Sequence, residues 1–166
     1  DDFDYNESGN RSASLAYWEI ARYINLPQKK GLSATVQFND GTAPWGPLGH
    51  VWLAGLAHPI NLGFTSISTE FLYRSAYQSK GPDGQLTFVF SFDVFGGKGH
   101  ITGFADIWTE TKDKISDKQI VLISQPQFWY EVFNKIYLGG EAKLSKNFLP
   151  EKGLQVYTTI GIKWDM

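Results

Sequence analysis

The three histidines are where catalytic or metal chemistry would begin in this chain. His50, His58 and His100 fall at the ends of predicted strands or in turns, and no GxSxG motif accompanies them. Their spacing from the carboxylates matches no zinc motif, and the absence of cysteine excludes thiolate nucleophiles, thiolate metal sites and disulfides. We therefore predict no catalytic residues, no metal and no cofactor.

The glycine-rich segment GGKG at 96–99 is the other motif that could bind a ligand. A phosphate-binding loop needs a helix directly after it, whereas an alternating segment follows this one. GGKG is therefore predicted to be a hairpin turn. The net charge of −2 also gives no indication of a nucleic-acid partner.

A larger group of polar and aromatic side chains shares one face of the predicted strands. Carboxylates and amides there could hydrogen-bond a small polar solute, and indole rings could stack on it. The candidate solute-binding residues are Glu19, Glu70, Arg74, Asp106, Trp108, Gln127, Trp129 and Glu141. The alternative is that the charged members pair into an ionic network that fills the interior.

The segment 84–110 shows how these residues are positioned. Its first half, GQLTFVFSFDVF, places Leu86, Phe88 and Phe90 on one face and Gln85 and Thr87 on the other. Its second half, HITGFADIWTE, alternates in the same way. A period of two indicates strands with one apolar and one polar face.

The same alternation recurs along the chain and predicts an all-β protein of one domain, residues 1–166. Predicted strands cover 15–26, 32–39, 50–57, 65–78, 84–95, 100–110, 119–132, 136–144 and 154–166, after a strand remnant at 1–6. Two of them are irregular. In 15–26, Arg22 shares a face with Trp18 and Ile20, which requires either snorkelling of its side chain or a bulge. The strand 50–57 has no polar face, so its faces are not assigned.

The lengths of the predicted connections alternate. Short turns such as HPINLG, GGKG and FNK occur at one end and longer polar loops at the other, which is typical of a transmembrane β-barrel. Aromatic residues gather near strand ends, as in interfacial girdles: Tyr17, Trp18, Trp129, Tyr130 and Trp164. Most lysines fall in predicted loops: Lys29, Lys30, Lys80, Lys112, Lys114, Lys118, Lys146 and Lys152.

These patterns predict an antiparallel up-and-down transmembrane β-barrel in the cell outer membrane of a Gram-negative bacterium. Its partners would be membrane lipid and a small solute. A soluble barrel of lipocalin type, with its apolar face inward, is the alternative, because alternation alone does not say which face is the interior.

Four segments together resemble one known family. SLAYWEIARYINL at 14–26, GFADIW at 103–108, SQPQFWYEVF at 124–133 and LGGEAKLSKNF at 138–148 are similar to the Tsx-like outer-membrane family of nucleoside-specific channel-forming proteins, in its less characterised branch. The resemblance implies a monomeric barrel of twelve strands. About nine or ten are predicted here, so it also implies that N-terminal strands are missing.

The resemblance implies a function as well, namely passive uptake of nucleosides or similar small polar solutes through an outer-membrane channel. Three alternatives stay open. They are a soluble barrel that binds an apolar ligand, a structural outer-membrane barrel with a closed lumen, and an outer-membrane phospholipase or protease.

Overall fold

Alternating segments of the chain form the strands of a single antiparallel sheet. The structure, a computed structural model, describes residues 2–5, 13–27, 30–43, 46–77, 79–111, 117–148 and 153–165. The strands are β1 (Asp2–Tyr5), β2 (Ala13–Asn25), β3 (Ser33–Ala43), β4 (Gly46–Pro47), β5 (Val51–Asn61), β6 (Ser66–Ala76), β7 (Asp83–Val94), β8 (Gly99–Glu110), β9 (Gln119–Ser124), β10 (Gln127–Phe133), β11 (Ile136–Lys146) and β12 (Leu154–Trp164).

Each strand pairs with its neighbour in the chain, in the order β1-β2-β3-β5-β6-β7-β8-β10-β11-β12. The two-residue β4 pairs with β3, and β9 fills the space between β8 and β11 beyond the end of β10. The hairpin predicted at GGKG is confirmed, since β7 and β8 are joined by a tight turn at Phe95–Gly97. The part of the chain that the structure describes has no helix with the length and apolar character that crossing a membrane requires.

β3 continues to Ala43, four residues past its predicted end. Two further predicted boundaries are wrong, and both involve a proline. The turn predicted at HPINLG lies inside β5, where Pro59 pairs with Ser68 and the strand continues to Asn61. The strand predicted over 119–132 is two strands, interrupted at Gln125 and Pro126. Proline has no N–H to donate to a neighbouring strand, so a strand interior readily breaks there.

The interruption at Pro126 fits against a glycine of the neighbouring strand. A Cβ atom at Gly103 would lie 2.6 Å from the Gln125 carbonyl oxygen and 2.8 Å from Pro126 Cα. Hydrogen bonds continue across the break, because Gln125 N–H donates to Phe104 O and Ala142 N–H donates to Pro126 O. The sheet therefore stays continuous although β9 and β10 are separate strands.

The sheet is strongly curved. The Tyr23 hydroxyl of β2 hydrogen-bonds Glu70 of β6, although β3 and β5 lie between these two strands. The face that carries Tyr23 and Glu70 is therefore the concave face, and the opposite one is the convex face.

The concave face buries polar residues and the convex face exposes apolar ones. In β6, Glu70 and Arg74 are 6% and 7% exposed, whereas Phe71 between them is 69% exposed. In β3, Gln37 is 4% exposed and its neighbour Val36 is 50% exposed. Among the described residues, the buried set contains eight polar or charged residues and six apolar ones. This burial pattern is the reverse of that in a water-soluble protein.

The pairing of β2 with β3 shows where the irregular residue Arg22 lies. The β2–β3 pairing runs without a shift from Ala16–Thr42 to Asn25–Ser33, so the bulge considered around Arg22 is wrong. The register shift that involves β2 lies near its start, in the pairing with β1. Arg22 is exposed on the convex face, in a shallow groove that Ile20 and Trp52 also line.

In β5, the alternation of burial assigns the faces that the sequence left open. Leu53 and Ala57 are buried on the concave face, whereas Trp52 and Leu56 are exposed on the convex face. Because the residues of β5 on the concave face are small or apolar, Gln37 of β3 can hydrogen-bond Glu70 of β6 across β5.

Aromatic rings cluster on the convex face near both ends of the strands. Near the longer connections, His50 and Tyr77 are in contact beside the ends of β5 and β6, with ring centroids 5.1 Å apart. Phe38 extends this cluster towards the middle of β3 through its contact with Trp52 at 4.7 Å. Near the short turns, Phe95 contacts Phe128 and Tyr130 at 6.4 and 6.1 Å.

The predicted girdle is only partly right. Tyr17 and Trp129 belong to the concave face, with Glu19 and Gln127 respectively. Lys30, Lys80 and Lys118 lie in connections, as predicted, and Lys146 ends β11 instead. The other lysines predicted in loops lie outside the described residues: Lys29, Lys112, Lys114 and Lys152.

Alanine at Gly139 should destabilise the sheet, because a Cβ there would lie 2.1 Å from the Phe128 carbonyl oxygen and 2.8 Å from Trp129 Cε3. We expect Gly139→Ala to lower the free energy of unfolding by about 3 kcal/mol. Gly84→Ala is the matched control, since its Cβ would meet nothing nearer than 3.9 Å. Urea unfolding of the two refolded variants tests this, and equal midpoints would contradict it.

Candidate functional site

The concave face surrounds a cavity of about 630 Å³. Its lining comes from strands β2 to β11, so the curved sheet encloses it from several sides. Four of the eight candidate residues line it, namely Glu19, Arg74, Asp106 and Trp108. The other four lie on the same face but do not line this cavity.

Glu70 forms a separate buried cluster. The Tyr23 hydroxyl donates to Glu70 Oε1 at 2.7 Å, and Gln37 Nε2 donates to Glu70 Oε2 at 2.6 Å. Both carboxylate oxygens are thus engaged by side chains from β2 and β3. This arrangement fits a structural role in holding the curvature of the sheet.

Arg74 lies at the wall of the cavity beside Trp108 and Glu110. Its Nη2 is 3.7 Å from Glu110 Oε2, and its Cζ lies 5.2 Å from the centre of the Trp108 ring. Trp108 Nε1 donates to the same Glu110 oxygen at 2.7 Å, which fixes the indole. Arg74 Nη1 is buried and has no hydrogen-bond partner among the described residues. One side of the guanidinium is therefore held while the other has an unused donor.

Glu19 and Asp106 contribute negative charge to the same cavity. The Thr87 hydroxyl donates to Asp106 Oδ1 at 2.6 Å, whereas Glu19 lies opposite Asn39 in the β2–β3 pairing. Both carboxylates line the cavity. Asn39 also lines the cavity, and its Oδ1 has no hydrogen-bond partner among the described residues.

Gln127, Trp129 and Glu141 meet in a third cluster. Trp129 Nε1 donates to Gln127 Oε1 at 3.1 Å, and Gln127 Nε2 donates to Glu141 Oε2 at 3.2 Å. Gln125, which does line the cavity, donates to the same oxygen at 2.9 Å. The structure brings these three candidates together beside the cavity, in contact with one another.

A further buried carboxylate, Asp83, lies near the long connections and was missed as a candidate. It accepts hydrogen bonds from Ser79 and Thr109 and lies 3.2 Å from Lys118 Nζ. The cluster links Ser79 of one longer connection to Thr111 and Lys118 of another. Asp83 was assigned to a loop, SKGPDG, so the alternation gave no reason to select it.

Asn39, Gln85 and Thr87 are other cavity residues that were not selected. Each lies on the polar face of its own alternating segment, and that signal could have identified them. Among the described residues, no group of three or more histidine, aspartate or glutamate side chains could hold a metal ion.

Removing the Glu70 carboxylate should lower stability, because it leaves Gln37 and Tyr23 without their acceptor. Two buried hydrogen bonds to a charged group predict a loss of about 3 kcal/mol for Glu70→Ala. Ser68→Ala, at an exposed position on the same face of β6, should change it by less than about 0.5 kcal/mol. Urea titration of the refolded proteins measures both, and a loss shared equally by the two variants would contradict the assigned role of Glu70.

Comparison with known families gives one match. The model of a family described as a domain of unknown function (DUF5020) matches residues 1–166, so the chain belongs to that family. No curated protein and no solved structure matches the chain.

Proposed function

We propose that this member of the DUF5020 family is an outer-membrane β-barrel that conducts nucleosides or similar small polar solutes passively. The observation that carries the proposal is the inverted burial pattern, with charged residues such as Glu70 and Arg74 buried and apolar ones such as Phe71 and Ile160 exposed. In water, such a convex surface would be unfavourable. Against lipid chains it is the surface expected of a barrel.

The dimensions of the strands support a membrane location. β6 and β11 each have 11 residues, and a tilted strand of about 9–11 residues crosses the hydrocarbon region of a bilayer. The aromatic contacts of His50 with Tyr77 and of Phe95 with Phe128 lie near opposite ends of the strands, as interfacial girdles do. The same burial pattern disfavours the soluble, lipocalin-like alternative, which needs an apolar interior.

The cavity supports conduction of a polar solute. It offers charged groups, amides and the Trp108 ring, and contacts of this kind bind a small solute weakly enough to release it. The nucleoside assignment itself depends on the resemblance to the Tsx-like family, which implies this substrate class.

A structural barrel with a closed lumen is the second candidate. The fully engaged Glu70 carboxylate and the hydrogen-bonded Gln127–Glu141 cluster favour it, because such networks fill an interior without leaving a path.

Single-channel recording tests the two candidates. The full-length protein, extracted from membranes and refolded in detergent, is added to a planar bilayer, and nucleosides are titrated in. We expect conductance steps that nucleosides block. Insertion without conductance would favour the closed barrel, and a protein that stays soluble without detergent and never inserts would overturn the membrane location.

A further inference from the structure

We propose that the cavity on the concave face binds a small zwitterion, of which a free amino acid is the simplest example. The proposal rests on the channel function. Among the small polar solutes of that function, it favours a zwitterion over a neutral nucleoside. Two groups of opposite charge that line one cavity support it. The negative group is accompanied by Asn39 Oδ1 and the positive group includes Arg74 Nη1, and both of these buried atoms lack a hydrogen-bond partner among the described residues.

The negative pole consists of Glu19, Asp106 and Asn39. All three line the cavity, and Asn39 is only 7% exposed while its Oδ1 has no hydrogen-bond partner among the described residues. An ammonium group donates three hydrogen bonds and carries one positive charge. It would relieve the repulsion between the two carboxylates and give Asn39 Oδ1 the donor that it lacks.

The positive pole is Arg74. It is 7% exposed, and Glu110 and Trp108 hold one side of its guanidinium. The buried Nη1 on its other side has no partner among the described residues. An unsatisfied buried donor on a charged group is unfavourable, and a carboxylate is its strongest partner.

The two poles belong to one site. Glu19, Asp106 and Arg74 line the same cavity, and Tyr17 belongs to that lining as well. The rest of the lining includes Val51, Ile123 and Phe148, which suits an apolar side chain. A cavity of about 630 Å³ has room for such a molecule. A neutral solute would contact the same walls, but it would bring neither a cation to Glu19 and Asp106 nor a carboxylate to Arg74 Nη1.

Ligand-observed NMR titration of the full-length, detergent-refolded protein tests the proposal without any substitution. The probes are L-phenylalanine, L-phenylalaninamide, which lacks the carboxylate, N-acetyl-L-phenylalanine, which lacks the ammonium, and adenosine. We expect the amino acid to bind at least about tenfold more tightly than either derivative and than adenosine. Equal binding of the derivatives, preference for adenosine, or no binding of the amino acid would overturn it.

A substitution of Asp106 in the negative pole tests whether the ammonium group of the ligand binds there. Asp106→Asn should weaken binding of L-phenylalanine about tenfold. It should not weaken binding of N-acetyl-L-phenylalanine, because the substitution removes a negative charge that repels this anion. Asp93→Asn, at an exposed carboxylate that does not line the cavity, should change neither. A uniform loss for both ligands in Asp106→Asn would contradict the assignment.

The two proposals fail in different ways. Absence of conductance in the planar bilayer contradicts the channel, whereas conductance without preference for the zwitterion contradicts this inference alone.

Discussion

Arginine in place of Phe71 should prevent most of the protein from folding into a bilayer. Phe71 is the middle residue of β6 and is 69% exposed on the convex face. An arginine that faces lipid at the midplane destabilises a barrel by about 2–4 kcal/mol. In a soluble protein the same change at an exposed position would be nearly neutral. The measurement is the fraction of protein that folds into lipid vesicles, resolved by its shifted mobility on gels run without heating.

Ser68→Arg is the control for this experiment. Ser68 lies on the concave face of the same strand and is exposed there, so its arginine would face the polar interior. We expect it to fold nearly as well as the unmodified protein. If both variants fold equally well, or if Phe71→Arg makes the protein soluble without detergent, the convex face does not contact lipid.

Removal of the Arg74 charge should cause the second large effect. Glu110 lies 3.7 Å from the guanidinium, and the two side chains are 19% and 9% exposed. Breaking a buried ion pair by removing one partner leaves an uncompensated charge, which typically destabilises a protein by about 3–5 kcal/mol. We expect Arg74→Met to lose stability in that range, measured by urea unfolding of the refolded protein.

The double variant Arg74→Met/Glu110→Gln isolates the ion pair. Neutralising Glu110 removes the charge that Arg74→Met leaves behind, so the double variant should recover part of the lost stability. Additive losses in the two single variants would mean that Arg74 stabilises the sheet through its contact with Trp108 instead.

The alternation of polar and apolar residues predicted most of the strands. A strand with one polar and one apolar face has a period of two, whether the apolar face points into the protein or away from it. The candidate positions of β6 and β8 follow directly from it: Glu70, Arg74, Asp106 and Trp108 all lie on the predicted polar face. The two boundary errors arose where tertiary pairing overrode local signals. Pro59 was taken as a turn although β6 pairs with it, and Pro126 was passed over although it interrupts a strand.

The grouping of the candidate residues could not be predicted in the same way. Tyr23 and Glu70 are 47 residues apart and meet only because the sheet curves over two intervening strands. Parity places side chains on a face but carries no information about curvature. The division of eight candidates into a cavity set and two hydrogen-bonded clusters therefore required the structure.

The pairing of each strand with its chain neighbour also bears on how the molecule assembles. Hairpins such as β5–β6 and β7–β8 close over connections of a few residues, so each can form before the rest of the sheet exists. Local contacts of this kind favour fast folding, since little chain entropy is lost before a pairing is gained. The tight turn at Phe95–Gly97 closes one such hairpin.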